Sequence, residues 1–153
     1  MIEEKLTELG IILPEPAAPV ASYVPTVDAG GMLYVSGQLP FVDGKVITGK
    51  VGDARSLADG QLAARACGIM LIAQIKKALG GDLDRVERIV KLGVFVASTS
   101  EFTDQPEVAN GASDLMEAVF GDAGKHARAA VSVPVLPRDA TVEIDCVVKV
   151  RAI

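Results

Sequence analysis

The amino-acid sequence predicts one two-layer α+β domain over residues 1–153, with two helices packed on one face of a mixed sheet. Three observations carry this expectation. Stretches with apolar residues at helical spacing occur twice, at 53–79 and 108–121. Segments rich in β-branched residues stand before, between and after them. The resulting order, ββ, α, β, α, ββ, shows no internal repeat. A chain of 153 residues buries roughly two thirds of its unfolded surface, so one core suffices without a disulfide or a metal.

Each element has a local cause. Ile2, Leu6 and Leu9 share one side of a short helix over 2–9, which Gly10 stops. LPEPAAPVASYVP carries four prolines in thirteen residues and must be extended, so residues 1–22 comprise a small helix and a proline-rich arm laid over the domain. YVPTVDAGGMLYVSGQLP reads as a hairpin bent at Asp28-Ala29-Gly30-Gly31, and VDGK at 42–45 as a second turn. From Asp53 to Leu79, residues Leu62, Ala66, Ile69 and Ala73 fall on one helix face, and Gly80-Gly81 ends the run. RVERIVKLGVFVAS, 85–98, is a long strand covered on both faces. A polar loop over 99–108 with Pro106 leads into the second helix, which tolerates Gly111. ARAAVSV and ATVEIDCVVKV close the sheet across a turn with Pro134 and Pro137. The sheet face away from the helices, read as Val86, Val90 and Val94 or as Val142, Ile144 and Val147, would leave apolar surface wet, and self-association is the simplest remedy.

Composition excludes several classes. Fifteen Lys and Arg against twenty Asp and Glu give a formal charge of −5, and the cations are scattered, so no nucleic-acid partner is expected. Few aromatic residues and no tryptophan argue against a base-stacking platform. No apolar run approaches a membrane span, and the acidic amphipathic start MIEEKLTELG is unlike a targeting peptide, so no membrane contact and a cytoplasmic location are expected. Cys67 and Cys146 lie far apart with no CxxC and read as buried, reduced thiols. No motif for a nucleotide, metal or organic cofactor is present, so none is expected.

Three residues stand out near the end of the chain. An arginine at a strand start, Arg128, reads by itself as a rim residue, and a glutamate within a strand, Glu143, as its wet face. His126, the only histidine, has no partner identifiable by spacing and reads as a solvent-exposed loop residue.

SGQLP at 36–40, IVKLGVFV at 89–96 and ARAAVSVPVLPRDATVEI at 127–144, in that order, resemble the signatures of the RidA/YjgF family, the reactive-intermediate deaminase or L-PSP endoribonuclease group. The resemblance runs from about Tyr23 to Val150, and the amino-terminal helix with VANGASDLMEAVFG resembles a longer branch of that family. It implies a chorismate-mutase-like fold and a homotrimer, sheets inward around a barrel, with a pocket at each subunit boundary. It implies that Arg128 holds the carboxylate of a 2-imino or 2-oxo acid and that Glu143 positions or activates water. Tyr23 would close the pocket across the interface, and Ser36 and Gly37 would offer a hydroxyl and backbone groups to the ligand. Where the family often has cysteine two residues after the arginine, this chain has Ala130, which keeps the backbone groups and loses the thiol. The family's asparagine ahead of the second helix corresponds to Ser113 by counting and to Asn110 by residue type.

The implied reaction is hydrolysis of an enamine or imine such as 2-aminoacrylate to a 2-oxo acid and ammonium, needing a carboxylate clamp, a water and a proton path but no cofactor or metal. The partners expected are small 2-imino and 2-oxo carboxylic acids and two further copies of the chain. The alternatives are a trimer of the same fold that binds small carboxylates without turnover, and the ribonuclease of the family's older name.

Overall fold

The structure is a computed structural model that describes residues 1–16 and 22–153; the middle of the expected proline-rich arm, 17–21, lies outside the described residues. Helix α1 spans Ile2–Glu8 and ends at Gly10, whose φ of 69° suits the left-handed turn there. Leu6 is buried as expected, whereas Leu9 is exposed. Strands β1 (Thr26–Ala29) and β2 (Met32–Gln38) form the first hairpin, with Gly30 and Gly31 both at positive φ and Asp28 Oδ1 accepting the Gly31 N–H at 2.9 Å. Asp43 and Gly44 make the same kind of bend between β3 (Phe41–Val42) and β4 (Lys45–Val46).

Helix α2 spans Leu57–Ala78 and starts later than its apolar pattern because Ser56 caps it: the Ser56 hydroxyl accepts the Asp59 N–H while Asp59 accepts the Ser56 N–H. Strand β5 (Val86–Ala97) follows. Helix α3 spans Gln105–Phe120, beginning three residues before the expected Val108, because Pro106 lies in the first turn, where its missing N–H is no loss. Strands β6 (Ala127–Val133) and β7 (Val142–Val150) complete the chain.

The five-stranded sheet runs β1-β2-β7-β5-β6, and only β5 and β6 are parallel, α3 being the crossover between them. The sheet is therefore mixed, with α2 and α3 packed on one face, as the sequence predicts. Gly111 sets the distance between those helices: a methyl there would overlap the Gln61 carbonyl of α2.

The face opposite the helices is not the one read from the sequence. Val86, Val94, Val142 and Ile144 are buried in the core beneath the helices. On β7 the residues in phase with Val142 point inward, which leaves Glu143, Asp145, Val147 and Lys149 on the open side. Two register shifts in β5, between Val86 and Arg88 and between Ile89 and Lys91, break the spacing that had linked Val86, Val90 and Val94. The open face is still partly apolar: Val27, Tyr34 and Val131 are each about half exposed, and Phe95 and Val147 lie between them. Cys67 and Cys146 are buried and unbridged. Among the described residues, no helix is long and apolar enough to cross a membrane.

Candidate functional site

Arg128 sits on the edge strand β6 opposite Leu92 of β5, a core residue, so its side chain leaves the sheet on the helix side. There it meets a stripe of α3. Its Nη1 donates to Asn110 Oδ1 at 2.8 Å and to Ser113 Oγ at 3.0 Å, and its Nη2 donates to the Pro106 carbonyl at 3.2 Å. Residues 106, 110 and 113 follow one another by about one helical turn, so one face of α3 supplies all three acceptors. Asn110 and Ser113, alternatives by sequence, both serve. A guanidinium carries five N–H donors; three are used here, and Nε–H with one hydrogen of Nη2 have no acceptor among the described residues.

Ser113 is held in turn. Its Oγ lies 2.8 Å from His126 Nε2, and His126 Nδ1 lies 2.7 Å from the Gly124 carbonyl. A carbonyl only accepts, so a proton belongs on Nδ1; in the neutral ring Nε2 then accepts the Ser113 hydroxyl, whose oxygen is free to receive Arg128. His126 is thus half-buried and partnered, not the exposed loop residue expected. These groups border a shallow cavity of about 270 Å³ that Asp114, Glu117 and Lys125 also line.

Glu143 belongs to the other face. It pairs with Phe95, three residues along β5 from Leu92, and side chains three apart on a strand point to opposite sides. Its carboxylate lies over Gly37, in the irregularity of β2 between Val35 and Gln38: a methyl at Gly37 would come within 2.8 Å of Glu143 Oε2. Next to Gly37, the Ser36 hydroxyl donates to the Val24 carbonyl at 2.9 Å and the Ser36 N–H to Pro25, which ties the exposed Tyr23 segment beside the glutamate. The Ser36 hydroxyl hydrogen is thereby engaged in holding this segment, and its oxygen can still accept. Partial burial, and secondarily the neighbouring Asp145 charge, push the Glu143 carboxyl above the usual carboxylate range. Burial raises Asp145 too, against the opposing pull of the Gly93 N–H and Lys91.

The candidate residues thus fall into two groups, Arg128 with Asn110 and Ser113 on the helix side, and Tyr23, Ser36, Gly37 and Glu143 on the open side. Arg128 and Glu143 stand on strands separated by β5 and on opposite faces, so the chain does not bring them together. Ala130, two residues beyond Arg128, packs its methyl on the core and leaves only backbone to a ligand. Sequence reasoning missed His126 and the Pro106 carbonyl. The spacing of two between His126 and Arg128 at the start of a strand was the available signal, because it puts both on one side.

An α+β domain with two helices on one face of a mixed sheet of this strand order defines a chorismate-mutase-like class. The family model described as "YjgF/chorismate mutase-like, putative endoribonuclease" matches residues 3–150, and the chain belongs to this RidA/YjgF family. It is 51% identical over 152 residues to protein TCP17 of Trypanosoma cruzi, covering 98% of this chain and 94% of that one. It superposes on the crystal structure of protein Atu1372 of Agrobacterium tumefaciens, described as of unknown function, with a TM-score of 0.93 and 48% identity over 98% of this chain and 92% of that one. RidA from an Antarctic Psychrobacter matches with a TM-score of 0.60 and 27% identity, over 89% of this chain and 94% of that one.

Proposed function

We propose that the protein is a hydrolytic deaminase of small 2-imino acids, acting in the cytoplasm as a homotrimer whose sites lie between subunits. The observation that carries this reading is the state of Arg128: three donors held by the chain and two left over, the number a carboxylate takes from a guanidinium edge. The charge and planar fork suit a 2-imino or 2-oxo acid, whereas lysine lacks the fork and its three donors could not both make the anchoring bonds and serve the ligand.

In the reaction, Arg128 fixes the substrate carboxylate, and water adds to C2 of the protonated imine. Glu143 of a neighbouring copy, reaching in from its open face, takes a proton from that water and returns one to the nitrogen of the tetrahedral adduct. The C–N bond then breaks as the adduct hydroxyl forms the carbonyl, and its proton passes to the departing ammonia, giving a 2-oxo acid and ammonium; water is the only co-reactant, and no electrons are exchanged. A carboxyl that burial raises above its usual range holds a proton more readily, which suits a group that must return one as well as take one. Gly37 leaves room for that carboxylate, and the Tyr23 segment flanks it.

The test is an assay in which an amino acid oxidase generates imines and the protein accelerates their decay, read beside calorimetric binding of pyruvate and 2-oxobutanoate. Arg128→Lys is expected to weaken binding about tenfold to a hundredfold, since charge-assisted hydrogen bonds contribute roughly 1.5–3 kcal/mol. Imine decay equal with and without the protein would refute the deaminase and leave a carboxylate binder. Binding indifferent to Arg128 would remove both.

A further inference from the structure

We propose that His126 is a positioning residue for Arg128, acting through Ser113, and that the pair sets which edge of the guanidinium meets the ligand carboxylate; the ligand class rests on the function proposed above. A serine in mid-helix has an alternative: its hydroxyl can turn and donate to the carbonyl four residues back, here Ala109. In that arrangement its lone pairs are no longer fixed by an outside partner. His126 prevents it. With Nδ1–H committed to the Gly124 carbonyl, the Nε2 lone pair takes the Ser113 hydroxyl hydrogen, and the Ser113 oxygen is left to receive Arg128 Nη1.

The consequence lies in orientation. Both hydrogens of Nη1 are consumed, one by Ser113 and one by Asn110, so the guanidinium plane is held at its Nη1 corner and its Nε–Nη2 side stays open. Without His126, that corner keeps only Asn110, and the fork is held less firmly, by Asn110 and the Pro106 carbonyl alone. Gly124 is part of the device, because a methyl there would overlap the Met116 carbonyl and move the carbonyl that sets the imidazole.

The test titrates pyruvate and 2-oxobutanoate into wild type, His126→Ala, His126→Gln, Ser113→Ala and the double variant His126→Ala/Ser113→Ala, with thermal melts alongside. Loosening one hydrogen bond predicts about threefold to tenfold weaker binding for His126→Ala. Glutamine, whose Oε1 can accept the Ser113 hydroxyl, is expected to restore affinity to within about twofold, and the double variant to bind no more weakly than Ser113→Ala. Losses that add, or His126→Ala binding like wild type, overturn the proposal, as does a loss that follows the melting temperature and is not restored by glutamine.

A second reading needs no ligand. With one histidine in the chain, its imidazole nitrogen signals are unambiguous, and the Nδ1-protonated tautomer is expected; the Nε2-protonated form overturns the proposal. Wild type that binds neither acid, yet shows this tautomer and an Arg128 Nε–H signal that shifts in His126→Ala, defeats the deaminase reading and upholds the positioning. Acid binding in wild type with an Arg128 signal indifferent to His126 defeats the positioning alone.

Discussion

At Gly37 the site depends on a missing methyl group. An alanine there would press on the Glu143 carboxylate, the far end of a side chain that can move, so the fold should survive and the carboxylate shift. Gly37→Ala is expected to lower imine turnover about tenfold to a hundredfold, the cost of misplacing a reacting group by around an ångström, while 2-oxo acid binding at Arg128 changes little; steady-state kinetics beside calorimetry separate the two. Glu143 carries a second expectation, through pH. Its carboxyl is raised in the folded chain, so its contribution to stability is complete below the unfolded value and is lost as pH rises through the folded one. Glu143→Gln removes that loss. The variant should melt above wild type near pH 7 and lose its advantage toward about pH 4, at one fixed protein concentration.

At the scale of elements, the α2–α3 contact ties stability to the site. Helix propensity favours alanine over glycine by about 1 kcal/mol, yet Gly111→Ala is expected to destabilise by about 1–3 kcal/mol in urea unfolding, because backbone rather than a movable side chain stands in the way. A stabilised variant would show that the helices can part freely. Since Asn110 is the adjacent residue, the same substitution should also weaken 2-oxo acid binding. The helices and hairpins were legible in the sequence from apolar spacing and from Gly30-Gly31 and Asp43-Gly44. The start of α3 was not, because Pro106 reads as a breaker although it is well placed in a first turn. The two sheet faces were not legible either. Val142, Ile144, Val147 and Val148 put apolar residues in both phases of β7, and two irregularities shift β5, so no alternation marks the side that faces the helices. Arg128 and Glu143 stood out only through the family resemblance, since spacing alone cannot show that one lies under α3 and the other on the open face.

For the whole molecule, the open face and the proposed shared site call for the same partner. Val27, Tyr34, Phe95, Val131 and Val147 are apolar surface that a neighbouring copy would cover, and a neighbouring copy is also what would carry a Glu143 to an Arg128. A trimer of 15.9 kDa chains would then hold one complete site at each boundary. The most direct measurement mixes two defective chains: Arg128→Ala and Glu143→Gln are co-expressed or refolded together, and imine hydrolysis is compared with each parent. Where an intact arginine of one chain meets an intact glutamate of the next, a site is restored. Equal random mixing should therefore recover about a quarter of wild-type activity from two nearly inactive parents. A mixed assembly no more active than its better parent would contradict a site shared between subunits.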